Sequence, residues 1–370
     1  MISTLTTTTL TAEQPPGAVT TADLRVTTCV PLPSPHELAV RLPLTSSQAA
    51  RVERSRTEVA AILGGLDDRL LVIVGPCSVH DPTAGLAYAE RLAAEADRYR
   101  DDLLVVMRTY FEKPRTTIGW KGLINDPHLD GSHDIAAGLA TARSFLRDVT
   151  DLGLACGTEF LEPISPQYTA DLISWGTIGA RTSESQIHRQ LVSGLSMPVG
   201  FKNGTDGSLQ VALDGCAAAA APQSFLGIDR DGRAALVATR GNPDTHVVLR
   251  GATTGPNYDA ASVAAATSAV VAAGLSPRLV IDASHGNSGK SHLRQAAVVS
   301  ETAAQLRGGS PAVAGIMIES FLEPGRQELD VTDPGRLLRF GQSVTDACVG
   351  WDTTAALLAE LSASVRARLG

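Results

Sequence analysis

The stretch LLVIVGPCSVHDP (70–82) decides how the rest of the chain is read. Its first six residues are apolar or glycine at every position, so they show neither the alternation of a half-exposed strand nor the spacing of an amphipathic helix. A short run of this kind, stopped by Gly-Pro, reads as a strand buried on both faces, as in a parallel sheet covered by helices. Seven more such runs follow: LLVVM (103–107), LACGTEF (154–160), SWGTIGA (174–180), PVGFKN (198–203), HVVLRG (246–251), RLVIDASH (278–285) and AGIMIES (314–320). Ala-rich segments of helical length separate most of them. The alternation predicts an α/β fold, and eight parallel strands is the number that closes a (β/α)8 TIM barrel.

One segment breaks the pattern. SFLGIDRDGRAALVATRGN (224–242) is two apolar runs around Asp-Arg-Asp-Gly, which predicts a β-hairpin inserted before the sixth barrel strand. Residues 1–22 are Thr-rich with a Pro-Pro pair and read as a mobile arm, leaving 23–370 as one barrel domain with an N-terminal segment. DLRVTTCVPLPSPHEL (23–38) reads as extended, too broken by proline for a helix. SSQAARVERSRTEVAAIL has helical spacing with a serine as its cap candidate.

The 370 residues are 44% hydrophobic and 19% charged, enough for a sizeable core. The N-terminus has neither the basic segment nor the apolar core of a signal peptide. No apolar run approaches the roughly 18 residues of a membrane span. Five cysteines without paired spacing argue against a disulfide framework. A cytoplasmic setting is expected. The net charge of −8 argues against general nucleic-acid binding, while leaving room for a local basic pocket.

In a barrel of this kind the chemistry sits at the carboxyl ends of the strands. There the sequence places, in order, Cys77, Arg108, Glu159, Arg181, Lys202, Arg250, His285 and Glu319. Cys77, His285 and Glu319, with Asp346 in SVTDACVGW, offer the S, N and O donors that suit one divalent ion such as Mn, Fe, Co or Zn. Taken singly, each has a plainer reading, as a core cysteine or a solvated carboxylate. Arg108, Lys113, Arg115, Arg181, Lys202 and Arg250 form a cationic set, densest in RTYFEKPRTTIGWKG (108–122). Such a set calls for phosphate or carboxylate ligands, or else for surface ion pairs with neighbours such as Glu112. HGNSGKS (285–291) ends like a phosphate-binding loop, but Ser284 stands where that motif requires glycine.

These residues lie in longer motifs: GPCSVHDP, MRTYFEKPRTTIGWKGLINDPHLDGS, SPQYTADLISWGTIGARTSESQIHR, PVGFKNGTDGS, RGNPDTHVVLRG, DASHGNSGKS and TDACVGWDTT. From about Asp23 onward the chain resembles the 3-deoxy-D-arabino-heptulosonate 7-phosphate (DAHP) synthases of type I, the group with feedback-regulated bacterial and fungal members. The resemblance implies condensation of phosphoenolpyruvate with erythrose 4-phosphate, an essential divalent metal, and a cytoplasmic homo-oligomer, dimer or tetramer. By motif it implies Cys77, His285, Glu319 and Asp346 as metal ligands. Arg108, Lys113, Arg181, Lys202 and Arg250 fall on phosphoenolpyruvate contacts, Arg115 and Thr116 on erythrose 4-phosphate contacts, and Gly179 and Ala180 among the substrate-binding residues. Lys113 is the proton-donor candidate, with Glu159 orienting water and His285 counted among the catalytic groups. An aromatic amino acid inhibitor is implied at Asp23, Pro166, Gln167, Leu191, Leu195, Ser196 and Phe225, with Ser196 pointing to phenylalanine. Gly227 and Ala22 depart from that pocket's pattern. The rivals are an octulosonate 8-phosphate synthase using arabinose 5-phosphate, and a non-catalytic phosphoenolpyruvate-binding subunit.

Overall fold

A computed structural model describes residues 21–115, 119–333 and 337–369. The expected mobile arm therefore lies almost wholly outside the described residues, as does Thr116. Eight parallel strands close a barrel: β1 (Leu70–Gly75), β2 (Leu103–Arg108), β3 (Ala155–Glu159), β4 (Trp175–Ile178), β5 (Val199–Lys202), β8 (Thr245–Leu249), β9 (Leu279–Asp282) and β10 (Val313–Glu319). The remaining pair, β6 (Ser224–Ile228) and β7 (Ala234–Ala238), forms a separate two-stranded sheet, the expected hairpin. Closure is made by β1 against β10, in the register Val72↔Ile316.

Strand periodicity sorts the apolar side chains into two layers. Leu71, Ile73, Leu104 and Val106 point into the barrel, while Leu70, Val72, Val74, Leu103 and Val105 pack outward with the helices. The helix α2 (Ser46–Gly64) contributes Val59, Ile62 and Leu63 to the inner cluster, so it plugs the amino-terminal mouth. Trp175 fills the barrel interior. Gly200 makes room for it, since a Cβ there would lie 2.5 Å from Val248 Cγ2 and 3.3 Å from the Trp175 ring. The indole donates to His246 Nε2 at 3.1 Å, and burial pushes that imidazole down to about 4, keeping it a neutral acceptor.

Two local expectations are corrected. The segment 23–38 is irregular at first, but α1 (Pro35–Arg41) begins inside it. Ser34 and Glu37 form a reciprocal capping box and Pro35 occupies the first turn, where a proline's missing N–H has no partner to lose. The cap of α2 is Thr45 rather than a serine, again in a capping box, with Gln48. No helix among the described residues is long and apolar enough to cross a membrane.

The hairpin turns at Asp229–Gly232, where the Asp229 carboxylate accepts from the amides of Asp231 and Arg233 at 2.9 Å each. Gly232 takes the left-handed conformation (φ 79°) that this tight turn requires. The start of α1 docks on the turn, the His36 amide donating to the Arg230 carbonyl at 2.8 Å.

Candidate active site

The carboxyl ends of the barrel strands surround a cavity of ≈ 350 Å³. Its lining takes in Lys113, Arg115, Glu159, Gly179, Ala180, Arg181, Lys202, Arg250, His285, Glu319 and Asp346, so residues up to 233 positions apart meet in one place. Gly179 is required by its neighbour: a Cβ there would fall 2.3 Å from Glu159 Oε1.

At one side the donor atoms of Cys77, Glu319 and Asp346 lie within 4.8 Å of one another. Cys77 follows β1 and is fully buried; its thiol donates to Asp346 Oδ2 at 3.7 Å. Burial, reinforced by the Glu319 carboxylate, pushes that thiol up to about 11. Lys113 Nζ donates to Cys77 Sγ at 3.1 Å and to the Cys77 carbonyl at 3.3 Å. Burial pulls the Lys113 ammonium down, but Cys77, Glu319 and Asp346 together raise it, so it stays protonated. Asp346 is held below the usual carboxylate range because Lys113 and His285 outweigh the effect of burial.

His285 lines the same cavity but is not part of the three-donor cluster. Its Nδ1 lies 2.9 Å from Asp282 Oδ2 and 2.6 Å from Ser284 Oγ. With Nδ1 engaged, Nε2 is the nitrogen open to a ligand, the arrangement usual for metal-bound histidines. Its backbone is left-handed (φ 55°), uncommon for a residue with a side chain and a form of strain that gathers at functional sites. A thiol, two carboxylates and an oriented imidazole form a donor set that fits a borderline divalent ion.

The cations fall into two layers. Arg108 lies beneath the cavity with no exposed surface, its Nη2 donating to Glu319 Oε1 at 3.2 Å and its guanidinium 3.9 Å over the Tyr110 ring. Lys202, only 2% exposed, ion-pairs with Asp282 at 3.1 Å and more loosely with Glu159 at 3.9 Å. Above these, Arg181 and Arg115 are exposed, reaching only backbone carbonyls at Pro114 (3.5 Å) and Trp120 (2.8 Å). The surface ion-pair alternative therefore fails for Arg115 and Arg181, whose hydrogen bonds among the described residues end on carbonyls.

Sequence reading missed two residues here and misplaced a third, Glu112, which it set in a surface ion pair. Asp282 is fully buried and shared by Lys202 and His285, whose charges hold its carboxyl well below the usual range despite burial. An acid inside the apolar run RLVIDASH was the signal. Gln295 clamps the Glu319 backbone with two bonds, accepting from its amide at 2.9 Å and donating to its carbonyl at 3.0 Å. Glu112, buried, accepts from Ser165 Oγ at 2.9 Å through one oxygen, and its other oxygen has no hydrogen-bond partner among the described residues.

The residues proposed for an inhibitor sit on several elements. Pro166 and Gln167 are in α5 (Pro166–Thr169), Leu191 in α6 (Gln186–Gly194), Leu195 and Ser196 just beyond it, and Phe225 in β6. Pro166 and Leu191 are buried, Leu195 and Phe225 half-buried, and Gln167, Ser196 and Asp23 exposed. α6 meets the hairpin through Ser193 Oγ and Thr239 Oγ1, 2.7 Å apart. The N-terminal segment reaches α5, Tyr168 Oη donating to the Pro33 carbonyl at 2.8 Å.

A closed parallel barrel whose strand ends gather cations and a thiol–carboxylate cluster defines a (β/α)8-barrel enzyme with its site at the carboxyl mouth. More narrowly, the chain belongs to the DAHP synthetase I family, whose sequence model matches residues 44–359. It is 57% identical to a phospho-2-dehydro-3-deoxyheptonate aldolase of Corynebacterium glutamicum, covering 95% of this chain and 96% of that protein. It is 51% identical to the Tyr-sensitive enzyme of that name from Escherichia coli, covering 91% and 94%. The structure of the Francisella tularensis enzyme of the same name superposes with a TM-score of 0.90 at 45% identity, over 93% of this chain and all of that one.

Proposed function

We propose that this chain is a 3-deoxy-7-phosphoheptulonate synthase, joining phosphoenolpyruvate to erythrose 4-phosphate in the first step of the shikimate pathway. The observation that carries the reading is the cavity itself: Lys113, Arg181, Lys202 and Arg250 converge beside the cluster of Cys77, Glu319 and Asp346. In the reaction, C3 of phosphoenolpyruvate bonds to the aldehyde carbon, water adds at C2, and phosphate leaves by C–O cleavage. Two polyanions must be brought together, so fixed cations opposing their repulsion supply much of the catalysis. Arg181, Lys202 and Arg250 are assigned to phosphoenolpyruvate, and Arg115 to the aldose phosphate. Lys113 holds a proton at Nζ next to the cluster and is assigned its delivery to the developing alkoxide. Glu159, backed by Lys202, is assigned to orient the water. Arg108 acts from below by fixing Glu319, rather than from the lining of the cavity.

Cys77, Glu319 and Asp346, completed by His285, would hold the divalent ion; when bound it supplies Lewis acidity toward the aldehyde oxygen. Regulation by an aromatic amino acid is supported by one bond: Ser165, beside Pro166, reaches Glu112, beside Lys113. The inhibitor segment and the substrate loop are thus tied directly. A cytoplasmic homo-oligomer completes the proposal.

The test is phosphate release with both substrates, with and without chelator. Release that requires both and stops on chelation supports the reading. Equal activity with arabinose 5-phosphate would move it to the octulosonate rival, and binding of phosphoenolpyruvate without release would leave a regulatory subunit. Inhibition curves with phenylalanine, tyrosine and tryptophan test regulation; three flat curves exclude it.

A further inference from the structure

A second cavity, of ≈ 610 Å³, abuts the first at the same end of the barrel. It lies between the loop after β8 and the loop after β9, and shares Arg250, His285 and Lys290 with the candidate active site. Its lining adds Arg294, which does not reach the first cavity, and includes no acidic residue. Lys290 and Arg294 are both exposed, and neither has a carboxylate partner among the described residues. Like charges gathered without acids repel one another, and an arriving anion relieves that repulsion.

The floor under these cations is fixed before any ligand arrives. The two loops meet backbone to backbone: a Cβ on Gly286 would lie 2.6 Å from the Ala252 nitrogen, and one on Gly251 would lie 2.4 Å from the Asn287 nitrogen. Asn257 and Asn287 lace them together, accepting from the amides of Gly251 and Asn257 at 2.7 and 2.8 Å. Lys290 itself is held in the left-handed region (φ 63°), its amide donating to the His285 carbonyl at 2.7 Å. The far wall, Pro256, Tyr258 and Ala297, is mostly apolar and leaves room for a short carbon chain.

We propose that this cavity is a further phosphate-binding site, with Arg294 as its own cation and Lys290 and Arg250 as those it shares with the first. An arginine fork and a lysine point charge match a phosphate dianion better than a single carboxylate. Resting on the reaction assigned above, the phosphate group comes from one of two sources: erythrose 4-phosphate on its way in, or inorganic phosphate on its way out.

Inorganic phosphate titrated into the intact protein, followed by calorimetry and phosphorus NMR, tests the proposal. Three phosphates per chain are expected, one at Arg181, one at Arg115 and one here, and Arg294→Glu should weaken one of them by about 10-fold or more, the loss of one charge-assisted contact. Two phosphates per chain or fewer, or an unchanged titration in Arg294→Glu, overturns it. Arg181→Ala should remove one of the other two; if it does not, the active-site assignment is at fault, while the Arg294→Glu result still decides this one. Steady-state kinetics of Arg294→Glu then separates the sources. A raised inhibition constant for phosphate alone marks the outgoing ion, and a raised KM for erythrose 4-phosphate marks the incoming substrate. No change in either constant overturns a part for this cavity in turnover.

Discussion

Arg108→Ala removes the only charge that faces Glu319 from below among the described residues. The two side chains are 0% and 3% exposed and 3.2 Å apart, so water cannot replace what is lost. The substitution also deletes the bond from Arg108 to the Pro76 carbonyl and the stacking on Tyr110. Breaking one member of a buried ion pair costs roughly 3–5 kcal/mol, because the remaining charge stays desolvated. With a urea slope of about 3 kcal/mol/M, the unfolding midpoint should fall by about 1–1.7 M. Removing both charges together, as Arg108→Met with Glu319→Gln, should recover more than half of that loss. The assay is urea unfolding followed by tryptophan fluorescence, with chelator present so that no divalent ion takes the place of the guanidinium. A midpoint within about 0.2 M of the parent, the range of a neutral surface substitution, would refute the argument that Arg108 works through Glu319.

Arg115→Ala should leave that midpoint unchanged and raise the KM for erythrose 4-phosphate about 10- to 100-fold, as expected for one charge-assisted contact to phosphate; kinetics with each substrate varied separately checks this. Cys77→Ser should bind less divalent metal, measured by elemental analysis after dialysis, and lose activity with it; full metal content would count against the ligand set. Burial pushes the Glu112 carboxyl up to about 8, so the folded protein holds a proton there that the unfolded chain releases near its ordinary value. Stability from this group is therefore present at mildly acidic pH and is lost as pH rises toward 8. Glu112→Gln should match the parent near pH 5 and exceed it near pH 8 in urea unfolding, if this titration and no other sets the difference.

The barrel was legible because parallel strands are buried on both faces and write themselves as unbroken apolar runs. The run SWGTIGA was read through residue 180, whereas β4 stops at Ile178, because Gly179 and Ala180 already line the cavity. The helix at Pro35 was missed by treating every proline as a breaker, although a proline in a first turn supports a helix. At the site, residues standing at strand ends were found, and residues acting behind them were not. The Glu112–Ser165 bond joins positions 53 apart, and nothing local to either announces the other. Asp282 could have been found, since an ionisable residue within a continuous apolar run always needs a partner.

The pairing of β1 with β10 has a consequence for how the polypeptide is made. From the time residues 70–75 emerge, β1 has a neighbour forthcoming on one side in β2, while the partner for its other side is not made until residues 313–319. Through most of translation a growing chain thus carries an open strand edge of unpaired amides and carbonyls, a template for pairing with another nascent chain. Even then the seam is not fully covered, because α10 (Trp351–Leu369), whose Arg368 reaches back to the Asp68 carbonyl beside β1, comes last. A ribosome stalled before residue 313 would therefore hold a barrel with two open edges, and demand on chaperones should be greatest there rather than at any earlier strand.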